Sequence, residues 1–170
     1  MIRIFKKILL ILVALFIGFW AWYEYTYSMD TVIPFEINNS NAKTKVLIAS
    51  QGSKFKDSVV KGILKNYEKD SIYFKVIDIY TLFTVNLDKW DALLFINSWE
   101  YGSPPGNVKK FIKNNPEQLD KLIILSTVGS SHITLKDVDV ISGESIIEQA
   151  PKYTEIMVHQ LNQIIKRNNE

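Results

Sequence analysis

A chain of 170 residues has room for one domain and a small addition. Its 20 Lys and Arg against 18 Asp and Glu leave a net charge of +2, without the dense basic face that a nucleic-acid partner usually needs. The absence of cysteine rules out disulfides, thiolate metal sites and cysteine nucleophiles; it suits an extracytoplasmic setting without requiring one.

Arg3, Lys6 and Lys7 precede an uncharged run from Ile8 to Tyr23. At ~1.5 Å per helical residue that run covers roughly 24 Å, and Ile4 and Phe5 extend it toward the ~30 Å of a hydrocarbon core while the lysines snorkel. Trp20, Trp22, Tyr23, Tyr25 and Tyr27 make an aromatic belt where the helix would leave the bilayer. Basic residues lie before the run and Glu24, Asp30 and Glu36 after it. The positive-inside rule then puts the N-terminus in the cytoplasm and the rest of the chain outside, at the cell membrane. The competing reading is a cleaved signal peptide. That needs small residues at a cleavage site, where this chain has Phe19-Trp20-Ala21-Trp22-Tyr23. The expected organisation is a signal anchor or transmembrane helix at 1–27, a polar tether at 28–43 and one α/β domain at 44–170. An edge strand at 31–37 is the alternative for part of the tether.

Lys45–Ala49 is short, apolar and β-branched at its start, and reads as the first buried strand. Phe55, Val59, Val60, Ile63, Leu64 and Tyr67 then recur at helical spacing, with Lys56, Lys61 and Lys65 expected to point outward. Ile72–Asp78 predicts a second strand, Asn86–Trp90 a turn or short helix, and Ala92–Asn97 a third strand. A helix begins near Pro104 and buries Val108, Phe111 and Ile112. Leu122–Thr127 predicts a fourth strand and Val138–Ile141 a short fifth. Pro151 opens the last helix, where its missing N–H costs nothing, with Ile156, Met157, Leu161, Ile164 and Ile165 facing inward. Strand–loop–helix units in series predict an α/β fold with an open parallel sheet, whose sites form at the strand C-terminal ends.

Two loops there carry candidate chemistry. Ser50-Gln51-Gly52-Ser53-Lys54 links a strand to a helix, so its backbone N–H groups, hydroxyls and Lys54 suit a phosphate. Equally, Ser53 can serve only as a helix cap. Ser98-Trp99-Glu100-Tyr101-Gly102-Ser103-Pro104-Pro105 puts two large aromatics at the end of a central strand, where they either stack on a planar ring or fold back on the core. His132 and His159 are far apart and show no metal-ligand spacing. Ser126, Ser130, Ser131 and His132 lie together without the context of a nucleophile elbow or a triad, and read better as a turn than as a hydrolase.

The succession Asp91-Ala92-Leu93-Leu94-Phe95, Tyr101-Gly102-Ser103-Pro104-Pro105 and Val108-Lys109-Lys110-Phe111-Ile112 resembles the third strand, loop and helix of flavodoxins. The first strand and its loop stand at the matching distance upstream, so the resemblance covers the chain from about Thr44 onward. It implies a flavodoxin-like sheet of order 2-1-3-4-5 that binds FMN. Ser50, Gly52, Ser53 and Lys54 would then meet the phosphate. Trp99, Tyr101 and Gly102 would meet the ring from one side, and Thr127, Gly129 and Ser130 from the other. The loop departs from the family pattern Ser/Thr-x-Thr-Gly-x-Thr, being one residue shorter before the glycine and carrying a lysine in place of the last threonine. Two functions follow: FMN-dependent electron transfer at the membrane with a redox protein partner, or a flavin-free binding or scaffold module on the same fold.

Overall fold

The computed structural model describes residues 2–27, 29–99, 102–129, 135 and 138–168. The chain divides into two units, Met1–Asp30 and Thr31–Glu170. The first contains helix α1 (Ile2–Tyr27). Its Ile4–Tyr23 segment has a mean hydropathy of 2.2 and buries none of its surface within the protein. That helix is long and apolar enough to cross a membrane.

The second unit is built on a six-stranded sheet: β1 (Phe35–Ile37), β2 (Thr44–Ser50), β3 (Ile72–Asp78), β4 (Ala92–Ser98), β5 (Leu122–Thr127) and β6 (Val140–Gly143). Their spatial order is β1-β3-β2-β4-β5-β6. The five strands β2 to β6 run parallel and, counted among themselves, follow the order 2-1-3-4-5; β1 adds an antiparallel edge beside β3. Part of the stretch expected as a tether is therefore sheet. Phe35 pairs with Val76 and Ile37 with Phe74, and Lys75 Nζ closes on Glu36 Oε1 at 2.9 Å across the pair. Asn38 ends β1 in the left-handed conformation at φ 68°, which Asn tolerates better than most residues, and its amide donates to Ile72 O.

Strands covered on both sides need apolar residues at every position. In β2, Val46 and Ile48 point to one face and Leu47 and Ala49 to the other, and all four are fully buried. On the first face lie α2 (Lys54–Asn66) and α4 (Ala150–Arg167), which bury Val59, Ile63, Met157 and Leu161 against the sheet. They meet closely at Gly62, where a Cβ would come within 2.7 Å of Thr154 Oγ1. Among the described residues the second face carries one α-helix, α3 (Gly106–Asn114), beside the 3-10 turn Ile79–Thr84. The connection Ile79–Asp91 is made of two 3-10 turns, Ile79–Thr84 and Leu87–Lys89. Trp90, at the end of that connection, is buried and stacks on Tyr73, with ring centroids 5.8 Å apart.

Other boundaries move slightly. The fifth parallel strand begins at Val140 rather than Val138, because Val138 is occupied by a bridge to Leu135 and pairing with Ile124 starts two residues on. The third helix starts at Gly106, beyond the two prolines, with Pro105 as its N-cap residue.

Candidate functional site

The C-terminal ends of β2, β4 and β5 lie side by side and are tied by polar groups. β2 and β4 depart in opposite directions along the sheet order, so the crevice above them is the topological switch point. Gln51, just past β2, crosses it. The Ser98 N–H donates to Gln51 Oε1 at 2.6 Å, and Gln51 Nε2 donates to the Tyr80 hydroxyl at 3.0 Å. The Gln51 backbone N–H donates to Ile96 O at 2.9 Å. Gln51 is 1% exposed.

Ser53 caps α2: its extended backbone frees the side chain to accept from the Lys56 N–H. Lys54 is exposed on the first turn. Lys56, expected on the outer face, is wholly buried, and its Nζ lies 3.5 Å from Ser53 Oγ. Helical side chains lean toward the N-terminus, so a lysine in the first turn reaches back under the loop that precedes its helix. The signal was present in the sequence: Lys56 stands three, four and seven residues before Val59, Val60 and Ile63, on the same helical stripe.

Ser50 is buried, but its parity puts it on the α2 and α4 face, and its hydroxyl donates to Gln51 O at 3.0 Å. It lines a small groove with Val32, Phe35 and Asp57 instead of facing the crevice. Gly52 is buried within the loop. Thr127 is buried with its Oγ1 2.7 Å from Ser98 Oγ, and its carbonyl accepts from the Trp99 N–H. Trp99 is half-buried, and its indole N–H is sealed from solvent with no hydrogen-bond partner among the described residues. Gly102 is exposed at φ 71°, a conformation that favours glycine, and Gly129 is exposed past the end of β5. Tyr101 and Ser130 lie outside the described residues, as do Ser131 and His132.

Gln51, Lys56, Tyr80 and Asn97 join the site from outside the predicted set. Asn97 accepts from Ser126 Oγ at 3.1 Å, while its Nδ2 is buried without a partner among the described residues. Asp78 ends β3 and uses both carboxylate oxygens structurally, accepting from the Tyr80 and Val32 N–H groups. No group of three or more metal-ligating side chains occurs among the described residues. His159 is an exposed residue of α4, near Gln163.

No family model and no curated protein matches the chain. Solved structures do. The metal-soaked flavodiiron core Flv1 of Synechocystis sp. PCC6803 superposes on 74% of this chain with a TM-score of 0.54 at 12% identity. A flavodoxin from the domain Archaea superposes on 71% of it with a TM-score of 0.50, also at 12% identity.

The fold is flavodoxin-like.

The match takes in 99% of the archaeal flavodoxin but 37% of the flavodiiron core, so this chain corresponds to little more than a third of the latter. Within the flavodoxin-like domain, the loops singled out from sequence sit where the sheet gathers its strand ends. Ser50 and Thr127 are already engaged there in internal hydrogen bonds.

Proposed function

We propose that this chain is a single-pass membrane protein, N-terminus inside, whose flavodoxin-like domain holds FMN at the loops after β2, β4 and β5 and exchanges electrons near the membrane with a protein partner. The observation that carries this reading is the Gly52–Lys56 turn. A buried ammonium, a capping hydroxyl and the N-terminal turn of α2 converge there. A helix N-terminus carries about half a positive charge, and a lysine beside it deepens the potential, so a phosphate dianion is the natural complement. Gly52 carries no side chain between the loop backbone and a ligand, and Lys54 stands exposed at the rim. Trp99 supports the ring site. It is half-buried at the end of β4, so part of its ring remains accessible for a planar flavin to stack on. FMN supplies the redox chemistry when bound, while this chain binds and orients it and shields it from water.

The test is direct. Purified full-length protein in detergent is titrated with FMN, followed by quenching of flavin fluorescence and by the visible spectrum after gel filtration. Flavin bands are expected to stay with the protein. Lys56→Met should weaken binding by about 10- to 100-fold, since a charge-assisted hydrogen bond is worth ~1.5–3 kcal/mol. If Gly52→Asp and Trp99→Ala leave flavin affinity unchanged, the assignment fails.

A flavin-free module on the same fold is favoured by one observation. The Gln51 side chain already spans the switch point and satisfies the Ser98 N–H, a group that would otherwise face a ligand. Under that reading the protein is colourless and leaves FMN fluorescence unchanged, and its loops serve a protein partner.

A further inference from the structure

The polypeptide joins the domain at the same end of the sheet as the candidate site. Val32 is tied by its N–H to Asp78 at the C-terminal end of β3, and β1 then runs away from that end, antiparallel to β3. Continuing the register of β1, Ile33 falls opposite Asp78. Asp78 in turn caps the Ile79–Thr84 turn. Two apolar side chains flank this point with nothing of the domain over them: Ile33 is 83% exposed and Phe83 is 85% exposed. Phe83 forms the lip of a groove of about 570 Å³ between that turn and α3, which also takes in Tyr80 and the cationic Lys110. Isolated exposed apolar residues are ordinary, but these lie beside the point where the chain that follows a segment able to cross a membrane joins the domain. Eight residues lie between Tyr23, the end of that segment, and Val32, so nine Cα–Cα steps permit a gap of no more than about 30 Å even if fully extended.

We propose that the domain rests on the bilayer with the C-terminal ends of its strands facing the lipid, Ile33 and Phe83 entering the headgroup–acyl boundary and Lys110 meeting anionic headgroups. An aromatic and an aliphatic side chain beside a lysine is the composition that interfacial segments use to bind such a boundary. Whatever reaches the loops after β2, β4 and β5 then does so at the membrane surface. This rests on the anchor reading of α1 but not on the presence of FMN.

Because the chain has no cysteine, each added one labels a single site. Ile33→Cys, Phe83→Cys and Glu117→Cys, full length, are each labelled with an environment-sensitive fluorophore and reconstituted in vesicles of phosphatidylcholine and phosphatidylglycerol, with and without bromolipid. Glu117 is an exposed control in the turn that leads into the start of β5, at the opposite end of the sheet. Bromolipid should quench the labels at 33 and 83 roughly twofold or more beyond the label at 117, as burial at the acyl boundary requires. Equal quenching at all three positions, with the protein retained in the vesicles after alkaline carbonate, overturns the orientation and leaves the anchor standing. Release of the unlabelled protein by carbonate overturns the anchor, and the orientation with it.

Discussion

Gln51→Leu tests the site's architecture whichever ligand it serves. Leucine is one atom shorter than glutamine but of comparable volume, so little cavity is created. It removes the acceptor for the Ser98 N–H and the donor to Tyr80. The two losses differ in weight. Tyr80 is 51% exposed and its hydroxyl can turn to water, so that contact contributes little. Ser98 is 7% exposed, and its N–H would be left buried without a partner, at a cost of about 1–3 kcal/mol. Burying leucine in place of an amide returns up to about 1 kcal/mol. The net expectation is a loss of about 1–2 kcal/mol, or roughly 3–8 °C in Tm for a domain of this size. Thermal unfolding of the full-length protein in mild detergent, followed by near-UV circular dichroism, reads it. Tyr80→Phe is the control and should cost under about 0.5 kcal/mol. A Gln51→Leu protein that melts within about 1 °C of the parent would refute the reasoning, as would a Tyr80→Phe protein that melts as low as Gln51→Leu.

Gly62→Ala should destabilise by about 1 kcal/mol, since the Thr154 side chain in its way is β-branched and held by its bond to Ala150 O, and overpacking of ~1–3 kcal/mol outweighs the ~1 kcal/mol gained in helix propensity. Adding Thr154→Ala should recover most of that loss in a double-mutant cycle, and a stabilised Gly62→Ala single variant would show that the two helices are not in contact. Burial, with Asp70 nearby, pushes the Tyr67 hydroxyl up to about 12 from its usual 10.0, while it donates to Asn162 Oδ1 at 2.8 Å. A raised folded pKa means that this group's contribution is complete below pH 10 and drains away as pH rises toward 12, so Tyr67→Phe should flatten the alkaline fall in stability. On the edge strand, hydrogen bonds from Lys75 and Tyr73 hold the Glu36 carboxyl below its usual 4.5. Its contribution is present above pH 4.5 and lost as pH falls through the lowered value, so Glu36→Gln and the parent should differ at pH 7 and converge in acid.

Much of the fold is legible in the sequence because its causes are local. Continuous apolar runs such as Ala92–Ile96 are what strands covered on both faces require, and the 3.6-residue stripe of Val59, Val60 and Ile63 needs no partner to be recognised. The apolar run that passes through Ile8–Tyr23 is likewise a property of composition alone, as is the strand–loop–helix order that implies a parallel sheet. What required the tertiary structure depends on neighbours distant in the chain. Residues 31–37 read from sequence either as tether or as edge strand, and the open side of β3 decides for the strand at Phe35–Ile37. Lys56 shares the helical stripe of Val59, Val60 and Ile63, so its burial is legible in the sequence, but only the tertiary structure shows its Nζ reaching back to within 3.5 Å of Ser53 Oγ. Gln51 reads as a loop residue, and only the 47-residue separation spanned by its bond to Ser98 shows it crossing the switch point. Side-chain period records which face a residue takes; long-range packing decides what that face meets, and the candidate site is where those faces meet at the strand ends.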